Sequence, residues 1–372
     1  MGKKRILLSS PTMHGEEMKY IQEAFDTNWI APLGKNVNSF EEEICAYTGC
    51  GHAAALSSCT AAIHLALKLC GLKPGEPVLC SDLTFSGSVN PVSYECGKQV
   101  FIDSEYETWN MDPRALELAF EKYPQARIVI AVNLYGTPAK LDEIRAICDR
   151  HNAILIEDAA ESLSATYRGR QTGTFGSYNT LSFNGNKIIT TSGGGMLLSK
   201  DEAAVKKARF WATQSKDPAP YYQHSEIGYN YRMSNIVAGI GRGQLLHLDE
   251  HRALKKKIYE RYRDGLSGLP LQMNPHTADS EPNYWLSCIL IDRGCPVKPF
   301  DIMDRLREAG VDSRPIWKPM HMQPVFVDCD YITLPGENVG EDVFARGLCL
   351  PSDIKMTPEE QDEVIEIIKA MF

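Results

Sequence analysis

No stretch of this 372-residue chain stays apolar over the length needed to cross a bilayer, so no transmembrane helix is expected. Clustered positive charge is also missing. The net charge is -9, and no basic run exceeds Lys255-Lys256-Lys257, which sits inside a helical pattern. Binding to a nucleic-acid backbone needs a basic face, so nucleic acid is excluded as a partner, whereas a nucleotide-linked substrate needs only a few local cations. The 11 cysteines are an odd number, scattered, with no C-x-x-C pair and no His/Cys spacing suited to zinc. Neither a disulfide framework nor a metal centre is expected from them. Cys70, Cys80 and Cys148 lie in apolar segments and read as small core residues, a usage that fits a reducing cytosol. The start, Met1-Gly-Lys-Lys-Arg-Ile-Leu-Leu, is too briefly apolar before Pro11 for a signal peptide, and Ile6 stands where myristoylation wants Ser or Thr. A cytoplasmic protein is expected. There are no repeats and no low-complexity segments.

With 43% hydrophobic and 23% charged residues, the chain has ordinary globular composition, and its length calls for a large domain plus a smaller one. Apolar positions at helical spacing predict helices over 15–27 and 37–48, with a turn at Ala31-Pro-Leu-Gly34 between them. From residue 55 the chain alternates helices with short apolar strands. Strands are predicted over 77–80, 99–102, 128–132 and 154–156, and helices over 60–70, 89–96, 113–122 and 141–152. The helix over 60–70 is apolar nearly all round and should be buried. Such alternation implies βαβ units and a mainly parallel sheet covered on both faces. Residues 181–183 and 195–199 read as two further strands. A long helical pattern over 234–266 links this part to an α+β remainder with a strand over 285–291 and helices over 299–308 and 358–372. The expected division is a large α/β domain over 1–250 and a small C-terminal domain over 251–372.

What the chain does possess is an oddly placed lysine. Lys187 lies in Ser182-Phe-Asn-Gly-Asn-Lys-Ile-Ile-Thr-Thr-Ser-Gly-Gly-Gly-Met196, between a short strand pattern and a run of glycines. Hydroxyl, amide and glycine residues crowd around it, which is the make-up of a loop that holds a phosphate or a cofactor. Upstream, the apolar strand Ile154-Leu-Ile ends abruptly in Glu157-Asp158. A strand-terminal Asp followed by a Lys in a Ser/Gly loop is what pyridoxal phosphate chemistry requires. The lysine forms a Schiff base, and the Asp keeps the pyridine nitrogen protonated so that the ring accepts electrons. The plainer alternatives are a solvated loop lysine and a helix-capping Asp. Ser57-Ser-Cys-Thr60 precedes the buried helix and makes either an N-cap or an anion site at a helix N-terminus, with Ser182 as a second phosphate hydroxyl. Phe85, after the strand over 77–80, can stack on a pyridine ring or be plain core. Asn230 and Arg232, in Gly228-Tyr-Asn-Tyr-Arg-Met-Ser-Asn235, can reach a phosphate in a neighbouring subunit or simply belong to a loop capping the long helix. Arg314-Pro-Ile-Trp-Lys-Pro-Met-His321 gathers cations and an aromatic able to read a nucleotide or sugar, although a lone His is as a rule structural.

Taken in order, Glu157-Asp-Ala-Ala-Glu161, Ser182-Phe-x-x-x-Lys187, Gly194-Gly-Met196 and Gly228-x-Asn-x-Arg232 resemble the DegT/StrS family of sugar aminotransferases. The resemblance runs nearly the full length, through Asn133-Leu-Tyr-Gly-Thr-Pro-Ala139 to Cys349-Leu-Pro-Ser352. It implies a fold-type I pyridoxal 5′-phosphate enzyme with a mainly parallel central sheet flanked by helices and a smaller α+β C-terminal domain. It also implies a homodimer with active sites shared between subunits. By the same analogy Lys187 is the Schiff-base lysine, Asp158 meets the ring nitrogen and Phe85 stacks on the ring. The Cys59 backbone, Thr60 and Ser182 hold the phosphate together with Asn230 from the partner subunit. Two departures stand out. Glu161 occupies a place where many members carry a Gln that donates toward the cofactor's phenolic oxygen, and Gly193 replaces a usual Glu.

These variants, with Asn184-Gly-Asn-Lys187 and the segment ending in Trp317 and His321, look like the subgroup that aminates C4 of UDP-4-keto-6-deoxy-N-acetylglucosamine for bacillosamine-type glycans. The resulting expectation is a ping-pong transaminase taking nitrogen from L-glutamate, with Asn184, Arg232, Trp317 and His321 as substrate-binding candidates. Competing readings are amination at C4 or C3 of another nucleotide sugar, as in GDP-perosamine synthesis or dTDP-sugar 3-amination, and a non-catalytic cofactor-binding module. A dehydratase branch lacks the lysine, and a degenerate scaffold would have lost Asp158 or Lys187.

Overall fold

The computed structural model describes residues 5–372; Met1–Lys4, the first half of the N-terminal segment judged above, lie outside the described residues. At its centre is an eight-stranded sheet. Its strands, numbered along the chain, are β1 (His52–Leu56), β2 (Pro77–Ser81), β3 (Lys98–Ile102), β4 (Ile128–Val132), β5 (Ile154–Asp158), β6 (Tyr178–Ser182), β7 (Gly195–Ser199) and β8 (Asp330–Ile332). Their spatial order is β1-β7-β6-β5-β4-β2-β3-β8. The run from β6 to β8 is parallel throughout, while β7 runs antiparallel to both β6 and β1. Ile128-Val-Ile-Ala-Val132 is buried at every position, as a β-branched strand covered on two faces must be.

This topology decides where a ligand can sit. The chain leaves β2 toward β3 on one side, then jumps back to β4 on the other, so the order reverses beside β2. Ligands of open α/β sheets bind beyond the carboxyl ends of the strands at such a reversal. Because β1 points the same way as the parallel strands, its end at Leu56, the end of β6 at Ser182 and the start of β7 at Gly195 all meet on that edge. The Ser57–Thr60 turn and the Lys187 loop are thereby brought together.

Helix Cys59–Leu69 packs on one face of the sheet, its Ile63 in a core with Phe101, Ile130, Ile156 and Leu197. Helices Pro113–Lys122 and Leu141–Arg150 cover the opposite face against Val129, Ala131 and Leu155. The smaller unit is an antiparallel sheet in the order Leu271–Met273, Ser287–Ile291, Gly347–Leu350, Arg314–Pro315, backed by helices Pro299–Glu308 and Pro358–Lys369. The units interleave: β8 returns from the C-terminal part to pair with β3, and Ile6 bridges to Val311. Residue 250, the boundary drawn from sequence, falls in the first turn of helix Leu248–Gly265.

Several elements differ from the sequence expectation. The pattern over 234–266 is two helices, Asn235–Leu245 and Leu248–Gly265, joined at Leu246-His247. The first carries a glycine stripe that lets it press on its neighbours: a Cβ on Gly241 would stand 2.6 Å from the ring of Phe40. The helix expected over 89–96 shrinks to Asn90–Tyr94 behind a 3₁₀ turn at Ser86–Ser88. Strand β5 does reach Asp158, the strand-terminal residue that the sequence indicated. Strand β1 was not foreseen, since Ala53-Ala-Ala55 has weak strand propensity and is ordered by its pairing with β7. Helix Glu202–Ala212, N-capped by Asp201, was also missed.

Candidate active site

On the carboxyl edge lies a cavity of about 500 Å³ lined by Ser57–Thr60, Phe85, Asp158, Glu161, Ser182, Asn184, Lys187, Trp285 and Trp317, among others. Alternation along β5 turns Glu157 and Asp158 to opposite faces. Glu157 is wholly buried and accepts from the Gly173 and Phe175 N–H groups (2.7 and 2.8 Å) and from Asn133 Nδ2 (2.9 Å), so it anchors loops. Asp158 faces the cavity. Its Oδ2 accepts from Ser88 Oγ at 2.6 Å and its Oδ1 from the Ala160 N–H at 3.0 Å, with the Cys59 thiol at 3.7 Å. These donors fix the plane of the carboxylate. Burial and the neighbouring Asp158 push the Cys59 thiol well above its usual pKa, which leaves it a neutral donor.

Lys187 enters from the loop between β6 and β7. Its backbone N–H donates to Asn184 O at 3.0 Å, and Asn186 O accepts from Trp285 Nε1 at 2.7 Å, so the turn is held from both sides. The Nζ stands 4.0 Å from the centre of the Trp285 ring and 3.3 Å from Glu161 Oε1, on a side chain only 12% exposed. Glu161 Oε2 accepts the Tyr135 N–H at 2.7 Å. That N–H is aimed by the left-handed backbone of Tyr135 (φ 52°), whose hydroxyl in turn accepts from the Trp317 N–H at 3.0 Å. Burial raises the Glu161 pKa, against the opposing pull of Lys187 and of the Tyr135 N–H. Of the roles open to a Glu in this position, the structure shows one turned to the lysine.

The opposite end of the cavity is formed by the start of helix Cys59–Leu69. Ser58 is its N-cap, with Oγ accepting the Ala61 N–H at 3.0 Å, so the capping role is real for that residue. Cys59 and Thr60 lie in the first turn, where N–H groups have no partner within the helix and the helix dipole favours an anion. Gly195 permits the fit: a Cβ there would stand 2.2 Å from the Cys59 nitrogen. Phe85 is no core residue; it is 60% exposed, its ring 5.6 Å from that of Trp317 at the cavity wall.

The remaining candidates divide. Asn184 and Trp317 line the cavity. His321 does not. Asp82, at the end of β2, grips it through Nδ1 (2.7 Å) and the backbone N–H (2.9 Å), and it stacks on Tyr331 at 3.9 Å. Arg232 pairs with Leu56 at the end of β1 outside the cavity lining, its buried Nε without a partner among the described residues, and Asn230 is exposed and bridges to Thr213. Within one chain neither reaches the cavity. Sequence reasoning missed Ser88, Tyr135 and Trp285. Ser88 left a signal in the Ser86-Gly-Ser88 cluster of a βα loop; Tyr135 acts through its backbone, and Trp285 looked like any strand aromatic.

This donor set fits pyridoxal phosphate. A carboxylate suited to a protonated ring nitrogen stands apart from a helix N-terminus and hydroxyls suited to a phosphate, with an amine on the wall between them. The chain's relatives agree. The model of the DegT/DnrJ/EryC1/StrS aminotransferase family matches residues 11–369. EpsN of Bacillus subtilis, named as a pyridoxal phosphate-dependent aminotransferase on a provisional footing, is 51% identical, the alignment covering 99% of this chain and 96% of that protein. A GDP-perosamine synthase of Caulobacter vibrioides is 35% identical over 97% of this chain and 96% of its own. The crystal structure of a DegT/DnrJ/EryC1/StrS aminotransferase from Brucella abortus superposes with a TM-score of 0.88 at 25% identity, covering 96% of this chain and 95% of the other.

Proposed function

The chain belongs to the DegT/DnrJ/EryC1/StrS aminotransferase family, fold-type I enzymes dependent on pyridoxal phosphate, and from that premise we propose that it moves an amino group from L-glutamate to C4 of a UDP-4-keto-6-deoxy-N-acetylhexosamine. The observation that carries the reaction type is the placing of Lys187 Nζ, Asp158 and the helix start at Cys59 around one cavity. The UDP-sugar rests on the resemblance of Glu161, Gly193 and the Asn184–Lys187 loop to that subgroup.

When bound, the cofactor supplies an electron sink for the carbon that gains or loses nitrogen. Lys187, Asp158, the Cys59 N–H, Thr60 and Ser182 would hold it, with Phe85 against its ring. Lys187 Nζ is the group placed to move protons: it takes one from Cα of the amino donor and, in the second half-reaction, delivers one to C4 of the sugar. Glu161 Oε1 is the nearest acceptor for an Nζ proton, and the Tyr135 N–H keeps its other oxygen in place. Asp158, pinned by Ser88 and Ala160, presents a fixed negative charge and needs no reorganisation. Trp285 and Trp317 shield the cavity from water on the side of the small unit.

A GDP-linked 4-keto sugar is the second reading, favoured by the relatives named GDP-perosamine synthase. Incubation with L-glutamate and a panel of UDP-, GDP- and dTDP-linked 4-keto sugars, followed by mass spectrometry, separates the two. The UDP-linked sugar should gain the amine, and amination of the GDP-linked sugar alone would overturn the choice. Lys187→Ala should lower turnover by about 10²–10⁴-fold or more and abolish the absorbance of the lysine-bound cofactor. Turnover near wild type would sink the assignment of Lys187.

A further inference from the structure

Away from the cavity, three imidazoles and two carboxylates converge where the N-terminal segment meets the helix Leu248–Gly265. His14 and His247 stack with ring centres 3.6 Å apart and planes 7° from parallel. His14 Nε2 lies 2.7 Å from Nε2 of His251, one helical turn beyond His247. Residues four apart share one side of a helix, so His251 can hold the His14 ring while that ring stacks on His247. Glu250 and Glu16 flank His247, at 3.0 Å from its Nδ1 and 3.3 Å from its Nε2 respectively. Ligating atoms of His14, His247 and Glu250 all fall within 4.8 Å of one another.

The hydrogen bonds also fix which ring nitrogens carry protons. His251 Nδ1 faces Ile188 O at 2.8 Å, a group that only accepts, so in the neutral ring Nδ1 is the donor and Nε2 is a bare lone pair. The close His14–His251 contact then requires the proton on His14 Nε2. That leaves the His14 Nδ1 lone pair free, with no hydrogen bond to it among the described residues. Both nitrogens of His247 face carboxylates, which only accept, Nε2 toward Glu16 and Nδ1 toward Glu250, so an ion at Nδ1 takes the place of the proton shared with Glu250. His14 thus has its distal N–H tied to an acceptor and its Nδ1 open, the arrangement that outer-shell partners impose on metal-binding histidines, whereas His247 Nδ1 is already engaged by Glu250.

We propose that His14, His247 and Glu250 form a binding site for a divalent transition ion of the zinc or nickel class, with His251 and Glu16 as positioning residues. Two imidazoles and one carboxylate suit such an ion and leave room for water as a fourth ligand, whereas calcium and magnesium call for sets made of oxygen. The stacked rings must splay to bring both lone pairs to one ion, and the partial exposure of His14 and His247 allows this. The plain alternative is a surface ion pair between His247 and the two glutamates, which accounts for Glu16 and Glu250 but not for the stacked His14. An occupied site would staple the N-terminal segment to the helix whose His251 holds the carbonyl of Ile188, the residue after Lys187.

The test is calorimetric titration of Zn²⁺, and separately Ni²⁺, into the full-length cofactor-loaded protein after treatment with a chelator. One equivalent per chain is expected, with a Kd on the order of micromolar since no thiolate takes part. Zn²⁺ should also raise the Tm. His14→Ala and His247→Ala should each weaken binding by about tenfold or more, while His224→Ala and His276→Ala, at exposed histidines elsewhere, leave it unchanged. Glu250→Gln, at a mostly exposed side chain, checks the site without touching a packed ring. Absence of saturable binding, or wild-type affinity in His247→Ala and Glu250→Gln, would overturn the proposal.

Discussion

Glu161 presents one oxygen to Lys187 Nζ and the other to the Tyr135 N–H, with 4% of its surface exposed. Burial raises its pKa above the ordinary 4.5, more than the lysine and the N–H lower it. A carboxyl whose pKa is raised by folding supports the folded state below its unfolded value and costs stability as the pH climbs through the raised one. Glu161→Gln keeps the shape and removes the titration. In melting experiments on the cofactor-free protein, its Tm relative to wild type should therefore rise as pH goes from about 4.5 toward neutrality, by a few degrees, since about 1 kcal/mol moves Tm by roughly 2–4 °C in chains of this size. A pH-independent offset between the two proteins would contradict the burial argument. Asp158 makes the contrast. Its three donors, Ser88, Ala160 and Cys59, come from three different elements, which is why the residue type was readable from sequence while its support was not.

Among elements, those with local causes were legible. Helix Pro113–Lys122 and strand Ile128–Val132 stand where the periodicity placed them, because Pro at the first helical turn and an unbroken apolar run rich in β-branched residues determine their own conformation. Strand β1 was not, because three alanines become a strand only against β7. The break at Leu246-His247 was hidden too, since apolar spacing continues across it and neither Pro nor Gly marks it. The same dependence on distant partners governs the end of the cavity at the start of helix Cys59–Leu69, where β7 begins almost in contact with its first turn. Gly195→Ala inserts a Cβ 2.2 Å from the Cys59 nitrogen, a backbone atom that cannot rotate away. The helix start must shift, at a cost of about 1–3 kcal/mol, and the N–H groups move with it. Equilibrium dialysis of pyridoxal phosphate should show weakened affinity, while Gly193→Ala, with nothing within 4 Å of its added Cβ, should bind nearly as wild type. Equal losses in the two variants would refute the close-approach argument.

At the scale of the whole molecule, two joints hold the site together. One is the clasp of His321 on Asp82, tying the segment that carries Trp317 to the end of β2. Burial opposes a charge on His321, but Asp82 and Glu341 outweigh it and raise the pKa above 6.5. A raised imidazole contributes stability that is complete below its unfolded pKa and lost as the pH climbs through the folded value. Tm should thus fall for wild type as pH rises from about 6.5 toward 9, more steeply than for His321→Gln. Matching slopes would remove the clasp from the account. A second joint, between copies of the chain, is our proposal from its surface. Asn230 is exposed and outside its own cavity, on the same stretch of chain as Tyr221, Tyr222 and Ile227, which are 65%, 81% and 79% exposed. Trp29, Ile30 and Leu33 leave a second apolar group uncovered. Exposed aromatics of this number are unusual on a lone subunit and suit a surface that another copy covers. If Asn230 serves the neighbour's cavity, Lys187→Ala and Asn230→Ala fail in different halves of a shared site. A mixed dimer then has one site carrying both lesions and one carrying neither. Equal amounts of the two inactive proteins, unfolded and refolded together, should recover about a quarter of wild-type activity, because random pairing makes about half the dimers mixed and each has one intact site of two. Each variant refolded alone should stay inactive. No recovery on mixing, with dimers present by sedimentation, would remove Asn230 from the neighbour's site.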